Sequence, residues 1–193
     1  MRPKLFEPDA IADAAMQVFW RRGYAGTSMQ DLIDGTGLAR SSLYNAFESK
    51  HGLYEHALRR YHALTVSNIE LLSEPGPVKA LVRQLMMRIV EDELGDADQR
   101  GCLAANATLE LAGQDEVVAE IVSQNFLRLE KALERALVRA QESGEIDAHN
   151  SPRAVARFVV ATIQGLRVLS KGSSRQGRRQ RLLDVVNVAI DAI

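Results

Sequence analysis

An all-α fold is predicted by three observations. Apolar residues recur three and four apart in every segment long enough to carry a period, as on one face of an amphipathic helix. No stretch alternates apolar and polar residues in the manner of a half-buried strand. The breakers fall between the periodic segments: Gly23, Gly37, Gly144 and the run Ser73-Glu74-Pro75-Gly76-Pro77.

Each element can be justified in order. Pro8 suits a first helical position and opens a segment with Ile11, Ala14, Ala15, Val18 and Phe19 on one face, ending at Gly23. A short helix starts near Thr27, where Thr27 or Ser28 can accept early backbone N–H groups and Gln30 or Asp31 can reach back, the capping-box pattern. Met29, Leu32 and Ile33 keep the period until Gly35-Thr36-Gly37 turns the chain. A second short helix buries Leu38, Leu43 and Phe47 and leaves Arg40, Ser41, Ser42, Tyr44 and Asn45 on the opposite side.

Ser49 caps a long segment over residues 50–72, with Leu53, Ala57, Tyr61, Leu64 and Ile69 on a stripe. After the Pro-Gly-Pro breaker a helix covers 77–94, an acidic loop 95–100, and a short apolar helix 102–112. A long helix over 115–143 carries Val118, Ile121, Val122, Leu129, Leu133 and Leu137 and stops at Gly144. Ser151-Pro152 opens the helix 152–170, with Val155, Phe158, Val159, Ile163, Leu166 and Leu169. The last helix, from about residue 178, is apolar on more than one side and needs more than one neighbour. The count is about nine helices.

Composition sets the bounds. A chain of 193 residues, 46% apolar, fits one or two small domains with ample core. No apolar run approaches the ~20 residues of a membrane span, and the start lacks a secretory h-region, so a soluble cytoplasmic protein without membrane association is expected. The single cysteine excludes an internal disulfide framework. His51, His56, His62 and His149 make no metal-ligand spacing with one another or with Cys102, and no phosphate loop, nucleophile elbow or HExxH occurs. No enzyme, metal or cofactor is therefore expected. A non-DNA-binding helical adaptor is the remaining alternative class, separable by a mobility-shift assay.

The two short helices around Gly37 have the layout of a helix-turn-helix DNA reader, since the five outward residues are donors and acceptors suited to phosphates and base edges. An ordinary helix pair with a polar solvent face has the same spacing. Charge does not decide, because residues 1–50 hold six Lys/Arg against six Asp/Glu. Arg2, Lys4, Arg40 and Lys50 are the cations expected to face phosphate.

The residues themselves go further. Gly23, Tyr24, Thr27, Ser28, Gly37, Leu38, Ser42, Leu43, Tyr44, Asn45, Phe47, Ser49, Lys50 and Leu53 stand in the order G-Y-x-x-T-S, G-L, S-L-Y-N-x-F, S-K-x-x-L, which closely resembles the N-terminal domain of TetR-family transcriptional regulators. The match covers about the first third of the chain; the remainder resembles the family in organisation. Two departures stand at Ala39, where the family usually has a capping Ser, Thr or Asn, and at Ala46, usually aromatic or His.

The resemblance implies a DNA-binding domain over 1–64 and a ligand-binding and dimerisation domain over 65–193, three helices in a head, one connecting and five in a body. It implies a homodimeric repressor of a palindromic double-stranded DNA operator, released by an unknown small-molecule inducer. Tyr44 and Lys50 are expected on the phosphate backbone and Arg40, Ser41 and Asn45 on base edges, with Thr27, Ser28 and Ser42 completing the DNA-facing set. The last two helices are expected to form a four-helix bundle with the partner's, through Val159, Ile163, Leu166, Leu182, Val186 and Ala189. A body pocket is implied, with Met86, Cys102, Asn106, Phe126, Ile163 and Arg167 as lining candidates that combine apolar surface with a few polar groups. Cys102 keeps two readings. Gly101-Cys102-Leu103 with Asn106 and Glu110 resembles a branch of the family that includes regulators responding to electrophiles and aldehydes, and a helix start beside Arg100 lowers a thiol pKa. A buried cysteine serving as a small hydrophobe is the other.

Overall fold

The computed structural model describes residues 7–174 and 176–193; Arg2 and Lys4 lie outside the described residues. Among those residues the regular structure is helical: α1 (Pro8–Arg22), α2 (Met29–Thr36), α3 (Arg40–Phe47), α4 (Lys50–Leu64), α5 (Val66–Leu71), α6 (Val78–Gly95), α7 (Leu103–Glu110), α8 (Glu116–Glu142), α9 (Pro152–Gly172) and α10 (Arg178–Asp191). They form two compact units, one taking the chain through Leu64 together with Leu103–Ser123, the other Thr65–Cys102 with Gln124–Ile193. Residues 103–123, expected with the body, group with the first unit.

The connecting segment is two helices rather than one. At Thr65 the backbone keeps right-handed helical angles, φ −90° and ψ −3°, but Asn68 N–H bonds back only three residues, to Thr65 O at 3.2 Å. Thr65 and Val66 are adjacent β-branched residues, whose restricted χ1 crowds the preceding turn, and the helix slips there.

In the first unit α1 packs against α2 and α4, α3 against α4, and α7 against α4. Ala12, Ala15, Met16, Phe19, Leu32, Leu43, Leu53, Tyr54, Ala57 and Leu58 make its core, each 2% exposed or less. Phe19 and Tyr54 meet edge to face at 4.8 Å. At the rim the Arg60 guanidinium spans Asp13 at 2.8 Å and Asp9 at 3.0 Å, pinning α4 to α1.

The second unit packs α6 against α5, α9 and α10, around Leu85, Met86, Ile89, Leu133, Leu137, Val159, Ile163, Leu166 and Val186. Two charged groups, Glu93 and Arg178, are inside it. Glu93, 4% exposed, receives Arg167 Nη1 at 3.1 Å; burial pushes the carboxyl up and Arg167 pulls it down. Arg178 Nη2 donates to Glu93 O at 3.2 Å, satisfying a carbonyl at the C-terminal end of α6.

Candidate nucleic-acid interface

Helix α2 is set by its cap. Ser28 Oγ accepts from Asp31 N–H at 3.1 Å, and Asp31 Oδ2 accepts from Ser28 N–H at 2.8 Å. Of the alternatives at this helix start, the reciprocal Ser28–Asp31 pair forms the capping box. The Ser28 hydroxyl, donating to Asp31 Oδ2 at 2.6 Å, and the Ser28 N–H, with Arg22 at 2.9 Å, hold the Asp31 carboxyl below the usual range. Thr27 is turned inward at 2% exposure, and its hydroxyl donates to Gly23 O at 2.6 Å. Its place in the motif is the turn before α2, while Ser28 is exposed.

Gly37 closes α2 in the left-handed region, φ 69°, with its N–H on Ile33 O at 2.9 Å. Two residues later α3 begins at Ala39 without a side-chain cap and with no acidic residue in its first turn. Such a start leaves first-turn N–H groups to solvent or to a phosphate. Leu43 and Phe47 are buried and Leu38 half-buried, whereas Arg40, Ser41, Tyr44 and Asn45 are exposed and Ser42 is half-exposed. Four of the five expected outward residues of α3 are thus exposed and the fifth, Ser42, is partly covered.

The end of α3 is tight. Glu48 has φ 64°, an uncommon angle for a residue with a Cβ, and Ser49 Oγ accepts from Gly52 N–H at 2.9 Å to start α4. A Cβ on Gly52 would overlap Phe47 O, so α4 can approach α3 this closely only with glycine there. Lys50, first residue of α4, is half-buried with its ammonium 4.3 Å from the centre of the Tyr24 ring. Burial pushes its pKa down, opposed by Glu110 and Asp31.

Behind this surface lies a cluster outside the expected set. Tyr24 N–H donates to Glu110 Oε2 at 2.6 Å. His51 pairs with Asp115 and, through Nδ1, with Glu55 at 3.1 Å; Asp115 also accepts from Val118 N–H at 3.0 Å, capping α8. These partners come from α7 and the start of α8, and no periodicity or spacing links them to residues 23–51. Gly23 and Tyr24 stand in the motif of the head and Glu110 in the pattern after Cys102, but nothing in the sequence joins the two.

The remaining expected residues divide between the units. Met86 and Ile163 lie in the core of the second, at 0% and 1% exposure. Arg167 is committed to Glu93, Phe126 is half-buried on α8, and Cys102 is 5% exposed just before α7. Asn106 sits on α7, in the first unit. Among the described residues no group of three or more His, Cys, Asp or Glu is placed to hold a metal ion, and no helix is long and apolar enough to cross a membrane.

The expected partner-facing residues need correction. Val159, Ile163, Leu166, Leu182, Val186 and Ala189 are each 0–1% exposed within one chain and belong to its core. Both helices are apolar on two sides, and packing with α6 inside the chain takes the denser one. The outward apolar residues are Phe158, Val168 and Leu169 on α9 and Val188 on α10, 44–68% exposed.

Residues 11–57 match the family model for bacterial regulatory proteins of the tetR family, and residues 94–186 match that for the tetracyclin repressor-like C-terminal domain. The chain belongs to the TetR family. Among solved structures, a cysteine mutant of the TetR family transcriptional regulator CifR, complexed with 26 bp double-strand operator DNA, is 30% identical, with a TM-score of 0.84 and 99% of each chain covered. The HTH-type transcriptional repressor ComR of Escherichia coli K12 is 28% identical, covering 98% of this chain and 90% of its own. The repressor DhaR of Mycobacterium sp. GP1 is 29% identical over 93% and 90%. Within this TetR-family regulator, α2–turn–α3 is the helix-turn-helix and α3 its recognition helix.

Proposed function

We propose that the chain is a homodimeric transcriptional repressor that reads a palindromic double-stranded operator through α3 and is released by a small molecule taken up in the second unit, in the cytoplasm. The observation that carries this reading is the α3 face: Arg40, Ser41, Tyr44 and Asn45 exposed together, beside Lys50, at an uncapped helix start. Arg40 suits guanine N7/O6 and Asn45 suits adenine, while Tyr44, Ser28, Ser42 and Lys50 suit phosphate. Thr27 acts through the turn it closes.

Each good base contact adds only about 1–3 kcal/mol of discrimination, so one recognition helix is too unspecific and two must bind successive major grooves, ~34 Å apart or a multiple. The outward apolar residues of α9 and α10 supply the surface for the second copy.

The test is a mobility-shift titration with fragments of the gene's own promoter region. Tyr44→Ala and Lys50→Met should weaken binding to all sequences, Lys50→Met also reducing the salt slope by about one, while Arg40→Ala and Asn45→Ala should also change which bases are tolerated. Four folded variants with unchanged binding overturn the reading.

A further inference from the structure

Helix α1 ends at Gly23, φ 72°, and the chain leaves it in a sharp turn. Tyr24 N–H lies beyond the helix and donates to Glu110 Oε2 at 2.6 Å, a partner 86 residues away in the chain. The other carboxylate oxygen, Oε1, occupies the place where a Cβ on residue 23 would sit, so the carboxylate lies against bare backbone that only glycine provides. The same turn carries the start of α2, because Thr27 Oγ1 donates to Gly23 O at 2.6 Å.

From this turn the Tyr24 ring reaches under Lys50. It packs against Tyr54 at 4.9 Å and carries the Lys50 ammonium over its face at 4.3 Å. A lysine ammonium above an aromatic face is held by the ring quadrupole, and its direction follows the ring. The Glu110 charge adds to that hold, favouring the ammonium that burial disfavours. One carboxylate thus touches the backbone from which the ring is hung and acts on the cation above it.

We infer that Glu110 is a positioning residue of the DNA interface: from the last turn of α7 it fixes the Gly23–Tyr24 turn and, through the tyrosine ring, the direction of Lys50. The inference rests on the proposed DNA-binding role of Lys50 and assigns a residue outside the reading helices to it. It also gives a physical reason why α7 groups with the first unit: its C-terminal end is bonded to the turn that sets the reading surface.

The experiment is operator titration of full-length Glu110→Gln and Glu110→Ala, alone and combined with Lys50→Met, at a temperature where circular dichroism shows every variant folded. The Gln amide oxygen still accepts from Tyr24 N–H but loses the charge that favours the ammonium, so Glu110→Gln should weaken binding by only about 3-fold. Glu110→Ala removes a charge-assisted bond and should weaken binding about 10-fold or more. Because Glu110 acts through Lys50, the loss on Lys50→Met should shrink at least about 3-fold when Glu110 is already alanine. A purely structural Glu110 lowers the melting temperature and leaves that cost unchanged. Native-like binding by Glu110→Ala, equal losses for Gln and Ala, or an undiminished Lys50→Met cost overturns the inference. Lys50→Met with no effect in the native background refutes the DNA reading of Lys50 itself, a distinct failure.

Discussion

A glutamate at Val168 should separate two protomers without unfolding either. Phe158, Val168, Leu169 and Val188 are 44%, 62%, 44% and 68% exposed on the outward side of α9 and α10. Fully burying such a side chain contributes about 1.5–3 kcal/mol, so covering the exposed half contributes about 1 kcal/mol, and about 8 kcal/mol for both copies. That corresponds to association near ~1 μM before ordering costs and further contacts are counted. Val168→Glu removes about 2 kcal/mol of it across the pair and brings two carboxylates to a closing apolar surface, where desolvation costs several kcal/mol each. The dissociation constant should rise at least ~1,000-fold. Sedimentation velocity over a concentration series reads it, with circular dichroism as the check of fold. The paired control is Val186→Glu, whose position is 0% exposed within one chain; it should give unfolded or insoluble protein. A Val168→Glu dimer of native affinity, or a folded monomer from Val186→Glu, refutes the assignment of outward and inward faces.

Three further outcomes are expected. Ala39→Ser supplies the missing cap of α3 and should stabilise the first unit by about 1 kcal/mol, read as a higher thermal midpoint; no rise shows that the helix start is satisfied in another way. Cys102, 5% exposed, should react with N-ethylmaleimide far more slowly than a model thiol until the protein unfolds, and Cys102→Ser should keep operator binding; rapid alkylation at neutral pH restores the sensor reading. Asp31 is held down by its bonds from Ser28, and Asp115 by the Val118 N–H and His51, so their stabilisation is present above the ordinary carboxylate pKa and is lost as pH falls through the lowered values. Glu93, pushed up by burial, responds in the opposite sense, so the reading is a difference: between pH 5 and about 3 the thermal midpoint of Asp31→Asn should fall less than the native one. Parallel curves remove the capping box from the acid response.

What could be read from the chain is what local chemistry decides. Pro8, Gly37, Ser49 and Pro152 act on their own backbone or the next turn, and the helices they bound stand where those residues place them. The polar face of α3 follows from a period fixed by geometry, with Leu43 and Phe47 as its opposite side. Thr27 and Ser28 show the limit, because both have cap chemistry and only the depth of the turn assigns Thr27 to Gly23 and Ser28 to Asp31. The break at Thr65 was invisible for a different reason: propensity penalties of tenths of a kcal/mol cannot cut a helix without the packing around it. On α9 and α10 the period is clear, yet a helix apolar on two sides does not state which side faces its own core.

The residues that support the reading surface from behind lay furthest from view, since Glu110 and Asp115 meet Tyr24 and His51 only through the fold. They alter the electrostatic account as well. Residues 1–50 balance six cations with six carboxylates, 51–64 hold Arg59 and Arg60 against Glu55, and 103–123 add Glu110, Asp115, Glu116 and Glu120 with no lysine or arginine. A unit this acidic gains little from non-specific attraction to phosphate, which scales with the number of cations that displace counterions. Its affinity must come from a few cations held in the right direction and from base contacts made in register. That requirement is what a carboxylate behind Lys50 meets: it reduces the field reaching the DNA and fixes where the remaining charge points.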